Sequence, residues 1–210
     1  MCCSRVRRQG EQVRSGQPRP AEGSAELLRR LREFPCGAAV KSEEQLQAAL
    51  ESRPGVIFIL RANGLEIAPV LRRVHAAGKL AAVHLDLVEG LASDVSGVRW
   101  LMRSGADAII SSHAQTVSTV RAEGVVAIQR VLCLSELAVD LGLAAVARAQ
   151  PDIVELLPGA ILGEITDLVL PRLSVPLLAG GFIRSRADLR AALAAGALAV
   201  TTSEPELWRG

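Results

Sequence analysis

Short apolar runs alternate along the chain with longer segments whose apolar residues recur at helical spacing. The apolar runs predict strands at residues 37–41, 56–61, 80–86, 108–112, 125–130, 153–157, 175–180 and 199–202. Most of them are continuously hydrophobic, as parallel strands covered by helices on both faces must be. Successive strands begin 17 to 28 residues apart, which leaves room for one crossover helix in each interval. The pattern therefore predicts repeated parallel β–α units.

Polar residues mark where the intervening helices begin, and glycines mark where they end. Ser42 and Ser185 each open a capping-box pattern, and Asp94 and Ser135 can cap their own helices. Four glycines stand between a helix and the next strand, where a left-handed residue commonly ends a helix: Gly78, Gly105, Gly124 and Gly196. Local signals and the global repeat therefore agree.

Eight strands in β–α order predict a closed barrel. An open doubly wound sheet would need fewer strands and a glycine-rich turn after the first strand, whereas that turn here is Lys41-Ser42. Only eight residues follow the last predicted strand. The predicted fold class is therefore α/β, as a single TIM-like (β/α)8 barrel with a missing or rudimentary eighth helix.

The N-terminal part of the chain lies outside this repeat. Residues 1–23 are rich in Arg, Gln, Gly, Ser and Pro without apolar periodicity, which predicts a disordered basic arm. Residues 24–34 have helical spacing, with Ser24 as the N-cap and Pro35 as the stop. We expect this helix to cover part of the gap left by the eighth helix. The barrel domain is then 24–210.

Composition and charge narrow the classes of partner. The 210 residues are 50% hydrophobic and 22% charged, which supports a sizeable core. Five aromatic residues, none of them Tyr, exclude a ring-rich RNA-recognition sheet. The net charge of +2 conceals a basic first 20 residues and a remainder of about −2. Any phosphate recognition must therefore come from a focused site or from the arm.

The cysteines and the hydropathy pattern predict a cytoplasmic protein. The four Cys lack C-x-x-C spacing and the density of a disulfide scaffold, so we expect reduced thiols. No apolar run is long enough to span a membrane, and no secretory signal is recognisable. The three His do not have metal-ligand spacing, so neither a structural metal nor a cofactor is expected.

Polar residues collect at the ends of the predicted strands, which meet at the C-terminal mouth of such a barrel. The loops after the seventh and eighth strands are the most informative. Gly180 and Gly181 allow backbone amides close to an anion, and Thr202 and Ser203 add hydroxyls. These loops predict a phosphate cradle, against the alternative that the glycines merely turn the chain.

Three further residues near strand ends carry candidate chemistry. His84 and Asp86 fall on one face of a strand, so both could reach a ligand, or the His could be satisfied by a buried carboxylate. Glu155 is costly to bury alone, so it should pair with Arg130, with Lys41 or with a ligand hydroxyl. No nucleophile motif supports a catalytic assignment.

Between about Pro35 and Trp208 the chain contains an ordered set of sequence blocks: Ala39-Val40-Lys41, Val83-His84-Leu85-Asp86-Leu87, Ile109-Ile110-Ser111, Ala127-Ile128-Gln129-Arg130, Glu155-Leu156-Leu157-Pro158-Gly159, Ala179-Gly180-Gly181-Phe182-Ile183, Thr201-Thr202-Ser203 and Leu207-Trp208. With this set the chain resembles the glycerol-3-phosphate-responsive antiterminator family. This resemblance implies a barrel that binds glycerol 3-phosphate and, when loaded, acts on leader mRNA of glycerol genes so that transcription passes a terminator.

The resemblance also implies roles for individual residues. The phosphate would be held by the cradle residues Gly180, Gly181, Thr202 and Ser203. The other ligand-binding positions would be Lys41, His84, Asp86, Ser111, Gln129, Arg130, Glu155 and Gly159. Among these, His84, Asp86 and Glu155 would form hydrogen bonds with the glycerol hydroxyls. Lys41 and Arg130 would neutralise negative charge at the mouth of the barrel. We expect no catalysis, no membrane contact and a possible homo-oligomer. The alternative is a phosphosugar-type isomerase, aldolase or synthase using His84, Asp86 and Lys41.

Overall fold

The computed structural model describes residues 23–209, and eight parallel strands in it close into a barrel. The barrel strands are β1 (Cys36–Val40), β2 (Val56–Ile59), β4 (Leu80–His84), β6 (Ala108–Ser111), β7 (Val126–Leu132), β8 (Ile153–Leu157), β9 (Leu177–Gly180) and β10 (Ala199–Thr202). Two short strands, β3 (Ala62–Asn63) and β5 (Val88–Glu89), pair with each other beside the barrel. The predicted basic arm lies outside the described residues, except for Gly23.

Helices follow the first seven barrel strands, as the repeat predicts. They are α2 (Glu43–Leu50), α3 (Ile67–Ala76), α4 (Val95–Ser104), α5 (Ala114–Ala122), α6 (Glu136–Ala149), α7 (Leu162–Val169) and α8 (Arg186–Ala194), and α1 (Ser24–Glu33) precedes the barrel. Short 3-10 turns cover Leu85–Leu87, Gly159–Ile161, Leu170–Arg172 and Pro205–Trp208. The last of these stands where an eighth helix would be. The predicted barrel with a rudimentary eighth helix is therefore confirmed.

The predicted helix boundaries hold for most helices. The side chains of Ser42, Asp94 and Ser135 each accept hydrogen bonds from first-turn amides, and Ser185 forms a full capping box with Asp188. All four predicted C-terminal glycines have positive φ, between 71° and 103°. The prediction for α1 was wrong at its start, because its N-cap is Gly23, with φ of 90°, and Ser24 is already helical.

The position of α1 also differs from the prediction. Its Leu27 and Leu31 are buried in the hydrophobic cluster that fills the barrel, together with residues such as Phe58, Ile110 and Leu178. Arg30 of α1 also donates to the carbonyl of Gly78, which lies just before the N-terminal end of β4. Helix α1 therefore closes the bottom of the barrel. It does not cover the eighth-helix gap, because open apolar side chains inside the barrel offer it a larger surface to bury.

The eighth-helix position is filled by the Pro205–Trp208 turn. The fully buried Trp208 donates from Nε1 to the carbonyl of Thr202 at 3.0 Å, and its own carbonyl accepts from the amide of Arg53 at 3.1 Å. One large aromatic ring thus replaces a helix in covering β1 and the end of β10. Among the described residues, no helix is long and apolar enough to cross a membrane.

Candidate functional site

A cavity of about 890 Å³ opens at the C-terminal end of the barrel. Seven of the twelve predicted site residues line it: Lys41, Asp86, Arg130, Glu155, Gly181, Thr202 and Ser203. The other five do not line it, and they are His84, Ser111, Gln129, Gly159 and Gly180. The mouth is therefore where the strand ends predict it, while the individual roles differ from residue to residue.

A buried polar network forms the floor of the cavity. The Oε2 atom of Glu155 accepts hydrogen bonds from Arg130, at 2.9 Å from Nε and 2.8 Å from Nη2. Its Oε1 atom accepts from Oγ1 of Thr201 at 2.6 Å. Of the alternatives open for Glu155, the structure shows the internal ion pair with Arg130. Thr201 was not among the predicted site residues, although strand alternation places it on the same face as the interior residue Ala199.

Two predicted ligand glycines have packing roles instead. A Cβ atom on Gly180 would stand 2.5 Å from Oγ1 of Thr201 and 2.8 Å from Oε1 of Glu155. A Cβ on Gly159 would stand 2.7 Å from the carbonyl carbon of Ala179. Both positions therefore require glycine because of neighbouring protein atoms, Gly180 because of the polar network and Gly159 because its turn closely approaches strand β9.

His84 lies at the end of β4 and is almost completely buried, with 2% of its surface exposed. Its Nδ1 atom has no hydrogen-bond partner within residues 23–209. Burial, together with the nearby charge of Arg130, lowers the pKa of His84 to about 4. The ring is therefore neutral near pH 7, and the unpartnered nitrogen can accept or donate one hydrogen bond according to its tautomer.

Asp86 does not share a strand face with His84, because β4 ends at His84 and Asp86 lies in the 3-10 turn that follows. Its Oδ1 atom accepts from Oγ of Ser111 at 2.7 Å and from Oγ of Ser93 at 3.1 Å, and Oδ2 accepts from the amide of Ser112 at 2.7 Å. Burial alone would raise the pKa of Asp86, but the hydrogen bonds from the Ser112 amide and the Ser111 hydroxyl lower it below its usual value. Ser111 therefore does not line the cavity itself, and it contributes only by donating a hydrogen bond to Asp86, which does.

Gln129 points away from the cavity. Its neighbours along β7, Ile128 and Arg130, face the barrel interior, so alternation turns Gln129 outward beside Ala127 and Val131, which pack in the outer core. Its side chain is buried, and Oε1 has no partner within the described residues. The prediction that Gln129 binds the ligand disagrees with this geometry.

The hydroxyls of the predicted cradle are already engaged with protein groups. Oγ1 of Thr202 donates to the carbonyl of Ile183 at 2.6 Å and accepts from the amide of Glu204 at 3.2 Å. Oγ of Ser203 donates to the carbonyl of Ala39 at 2.7 Å. These bonds hold the β9 and β10 loops together and join them to β1, so the two hydroxyls shape the cradle.

Backbone amides, in contrast, remain available at the same place. Gly181 and Phe182 both have positive φ, at 80° and 58°. Within residues 23–209, no group accepts a hydrogen bond from the amides of Gly181, Phe182, Ile183 or Ser203, and all four of these residues line the cavity. Successive amides in such a turn form a concave site that suits an anion. The amides of α8 are less available, because its first turn is capped by its own Ser185 and Asp188.

Two basic side chains add positive charge beside these amides. Among the four basic residues that line the cavity, Arg130 pairs with Glu155 and Arg61 pairs with Glu89 at 3.0 Å. Across the described part of the chain, Lys41 and Arg184 form no ion pair. The site therefore combines four amides without acceptors, two basic side chains without ion-pair partners (Lys41 and Arg184), and the buried polar network that forms its floor. Phe182 lies within the predicted cradle loop, but neither Phe182 nor Arg184 was among the predicted site residues.

The fold and the site define a small α/β barrel with a cavity at its C-terminal mouth, lined by glycine-rich loops and basic side chains. The family profile for the glycerol-3-phosphate responsive antiterminator matches residues 37–208, and the chain belongs to that family. The resemblance predicted from residues 35–208 is thus confirmed.

Individual relatives agree with this assignment. The chain is 34% identical over 186 residues to the uncharacterized protein YgcP of Escherichia coli K12, covering 87% of this chain and 95% of that protein. It is also similar to the crystal structure of a glycerol uptake operon antiterminator regulatory protein from Listeria monocytogenes, with 29% identity, a TM-score of 0.78 and coverage of 82% and 94%. A glycerol uptake operon antiterminator-related protein from Thermotoga maritima has 25% identity, a TM-score of 0.74 and coverage of 82% and 96%.

Proposed function

We propose that the protein binds glycerol 3-phosphate in the barrel mouth and, when loaded, acts on leader mRNA of glycerol-metabolism genes as a transcription antiterminator. Family membership supports the regulatory role and the effector. The observation that carries the ligand assignment is that four residues lining the cavity, Gly181, Phe182, Ile183 and Ser203, have amides without a protein acceptor within residues 23–209. Such a set matches a phosphate group, which offers several acceptor oxygens at one point.

The remaining groups of the site fit the rest of this ligand. Lys41 and Arg184 offset the charge of the phosphate at the rim. His84 does not line the cavity, so the glycerol hydroxyls would meet the polar network of Arg130 and Glu155 instead. Arg130 and Glu155 neutralise each other and therefore act as a polar floor.

Regulation follows from linkage between two binding events. Glycerol 3-phosphate promotes RNA binding only if it binds the RNA-competent state more tightly, and RNA must then raise the affinity for glycerol 3-phosphate by the same factor. The phosphosugar-type enzyme has weaker support from the site. Its proposed base Asp86 already accepts three hydrogen bonds, and those from the Ser112 amide and the Ser111 hydroxyl lower its pKa and reduce its basicity.

Calorimetry with glycerol 3-phosphate, glycerol and inorganic phosphate tests the ligand assignment. We expect glycerol 3-phosphate to bind most tightly, because only it engages both the amides and the polyol end. A Gly181→Asp variant should bind it roughly a hundredfold more weakly, since a carboxylate beside the cradle repels the phosphate. The added Cβ itself meets no atom closer than 3.7 Å.

Gly124→Asp is the matched control for that variant. Gly124 has nearly the same φ, 81° against 80° for Gly181, but it lies between α5 and β7 at the opposite end of the barrel. Equal weak heats for all three compounds would remove the ligand assignment. Conversion of glycerol 3-phosphate to a product during incubation, lost in His84→Ala, would replace the regulator by the enzyme.

A further inference from the structure

An aromatic side chain stands exposed on the rim of the cavity. Phe182 follows β9 in the cradle loop, and 65% of its surface is accessible. Its φ of 58° is a conformation that bulky residues rarely adopt. The guanidinium carbon of Arg184 lies 5.3 Å from the centre of its ring. The loop thus holds a phenyl ring outside the core in a strained conformation, with a cation against one face.

The same side of the rim carries a group of basic side chains. Arg186 and Arg190 are exposed on α8, and Nε of Arg190 donates to the carbonyl of Arg186 at 3.2 Å, so the two lie together. Within the described residues, neither of them nor Arg184 forms an ion pair. The one acidic residue between 183 and 194 is Asp188, whose carboxylate accepts from the amides of Arg184 and Ser185.

The opposite side of the rim is different. Arg61, which also lines the cavity, pairs with Glu89. The exposed aromatic on that side, Trp100, does not line the cavity, and its Nε1 atom donates to the carbonyl of Gly64 at 2.9 Å. Positive charge without carboxylate partners is therefore concentrated beside Phe182. A surface that combines an exposed ring with several free guanidinium groups suits a partner that has planar bases and a polyanionic backbone.

We propose that Phe182, Arg184, Arg186 and Arg190 form the RNA-contacting surface of this protein, here called the Phe182 platform. A base of single-stranded leader RNA stacks on the ring, and the guanidinium groups hold flanking phosphates. This inference rests on the proposed function, since it assigns the surface through which that function reaches RNA.

The position of the platform links it to the effector. The loop that carries the ring of Phe182 also supplies three of the four cradle amides, from Gly181, Phe182 and Ile183. A phosphate held by those amides restrains the loop and therefore the direction of the ring. RNA stacked on the ring restrains the same loop in return, which is the reciprocity that linkage requires.

The first test removes two platform charges. An Arg186→Gln, Arg190→Gln variant leaves the cavity lining intact, so its affinity for glycerol 3-phosphate, measured by calorimetry, should be unchanged. RNA binding is measured by fluorescence anisotropy on a labelled leader transcript of a glycerol uptake operon, with saturating glycerol 3-phosphate, over a series of salt concentrations. The slope of log affinity against log salt should decrease in magnitude by roughly 1.4, or about 0.7 for each RNA phosphate that is no longer neutralised.

The matched control removes two charges elsewhere. Arg72 on α3 and Arg148 in the last turn of α6 are exposed and, within the described residues, form no ion pair. An Arg72→Gln, Arg148→Gln variant has the same net charge as the platform variant and should keep the original salt slope. Both variants retain the basic arm, so any contribution of the arm to the slope is common to them.

The second test addresses stacking. Phe182→Leu should weaken RNA binding roughly tenfold, while Phe182→Tyr should stay within about threefold of the unaltered chain. Because the amide of Phe182 belongs to the cradle, the affinity of each variant for glycerol 3-phosphate is measured first, and RNA is titrated at saturating effector. The Leu and Tyr variants share the backbone strain and differ in the aromatic face.

The outcomes separate this inference from the proposed function. Weaker RNA binding by the platform variants but not by their controls supports the platform. Retention of RNA by the unaltered chain, with equal salt slopes for the two double variants or equal affinity for Phe182→Leu and Phe182→Tyr, overturns the platform alone. Absence of effector-dependent RNA binding by the unaltered chain overturns the RNA part of the proposed function, and the platform with it.

Discussion

Arg130 and Glu155 form an ion pair inside the barrel, between register partners of the adjacent strands β7 and β8. Their side chains are 9% and 1% exposed. Below this pair the barrel is filled by apolar side chains, and above it the cavity begins. The pair thus marks the boundary between the packed part of the barrel interior and the open part.

Removing the cation of this pair should destabilise the protein strongly. Arg130→Met leaves the Glu155 carboxylate buried without its partner, so the free energy of unfolding should fall by about 3–5 kcal/mol. Urea denaturation at pH 7, followed by circular dichroism, measures it. Adding Glu155→Gln removes the stranded charge and keeps an acceptor for Thr201, so the double variant should regain at least half of the loss. Equal stability of single and double variants would contradict this account.

Gly180 should tolerate no side chain. An Ala Cβ would stand 2.5 Å from Oγ1 of Thr201 and 2.8 Å from Oε1 of Glu155, so the hydrogen bond between them must distort. Gly180→Ala should therefore lower the free energy of unfolding by about 1–3 kcal/mol. Gly163→Ala is the control, because a Cβ there meets nothing within 4 Å on α7 and should be neutral or slightly stabilising. Similar urea midpoints for both variants would show that the site can relax.

The strands and most helix ends could be predicted because their signals are local. Continuous apolar runs mark buried parallel strands, and side-chain caps such as Ser185 act within one turn of the helix that they begin. The position of α1 was not accessible in this way. Its apolar face shows that it must pack against something, but whether Leu31 meets the outer ring or the barrel interior depends on contacts with residues distant in sequence.

The site was predictable in location and less so in detail. Polar residues at the end of β7 include both Gln129 and Arg130, and alternation admits only one of them to the interior. Which one enters depends on the register of the closed barrel. The available amides of the β9 loop are invisible in the sequence, since a backbone N–H is present at every residue except proline, and its freedom is decided by the folded neighbours.

His84 should make the protein less stable as the solution becomes acidic. The folded state holds its pKa near 4, against an ordinary value of 6.5, because burial disfavours the charged ring. Between these values the unfolded chain binds the proton and the folded protein does not, so stability falls with decreasing pH. The full contribution is present above about pH 6.5, and about 2 kcal/mol of it should be lost between pH 7.5 and pH 5.

A His84→Gln variant isolates this effect. Urea denaturation of both proteins at pH 7.5 and pH 5 gives two losses of stability, and the loss in the unaltered protein should exceed that in the variant. The other two His are present in both proteins, so their contributions cancel in the comparison. Parallel losses in the two proteins would mean that protonated His84 is accommodated in the folded state.

Helix α1 closes the N-terminal end of the barrel, so it should contribute to stability without affecting the cavity at the C-terminal end. Leu31 is almost fully buried among side chains of the barrel interior, so Leu31→Ala leaves a cavity there and should lower the free energy of unfolding by about 2–5 kcal/mol. Calorimetry should show unchanged affinity for glycerol 3-phosphate, because the cradle lies at the opposite ends of the strands. Arg32→Ala, at an exposed neighbouring position on α1, is the control and should change stability by less than about 0.5 kcal/mol. If Leu31→Ala is as stable as this control, α1 is not packed into the barrel, and if it loses ligand affinity while remaining folded, the two ends of the barrel are coupled.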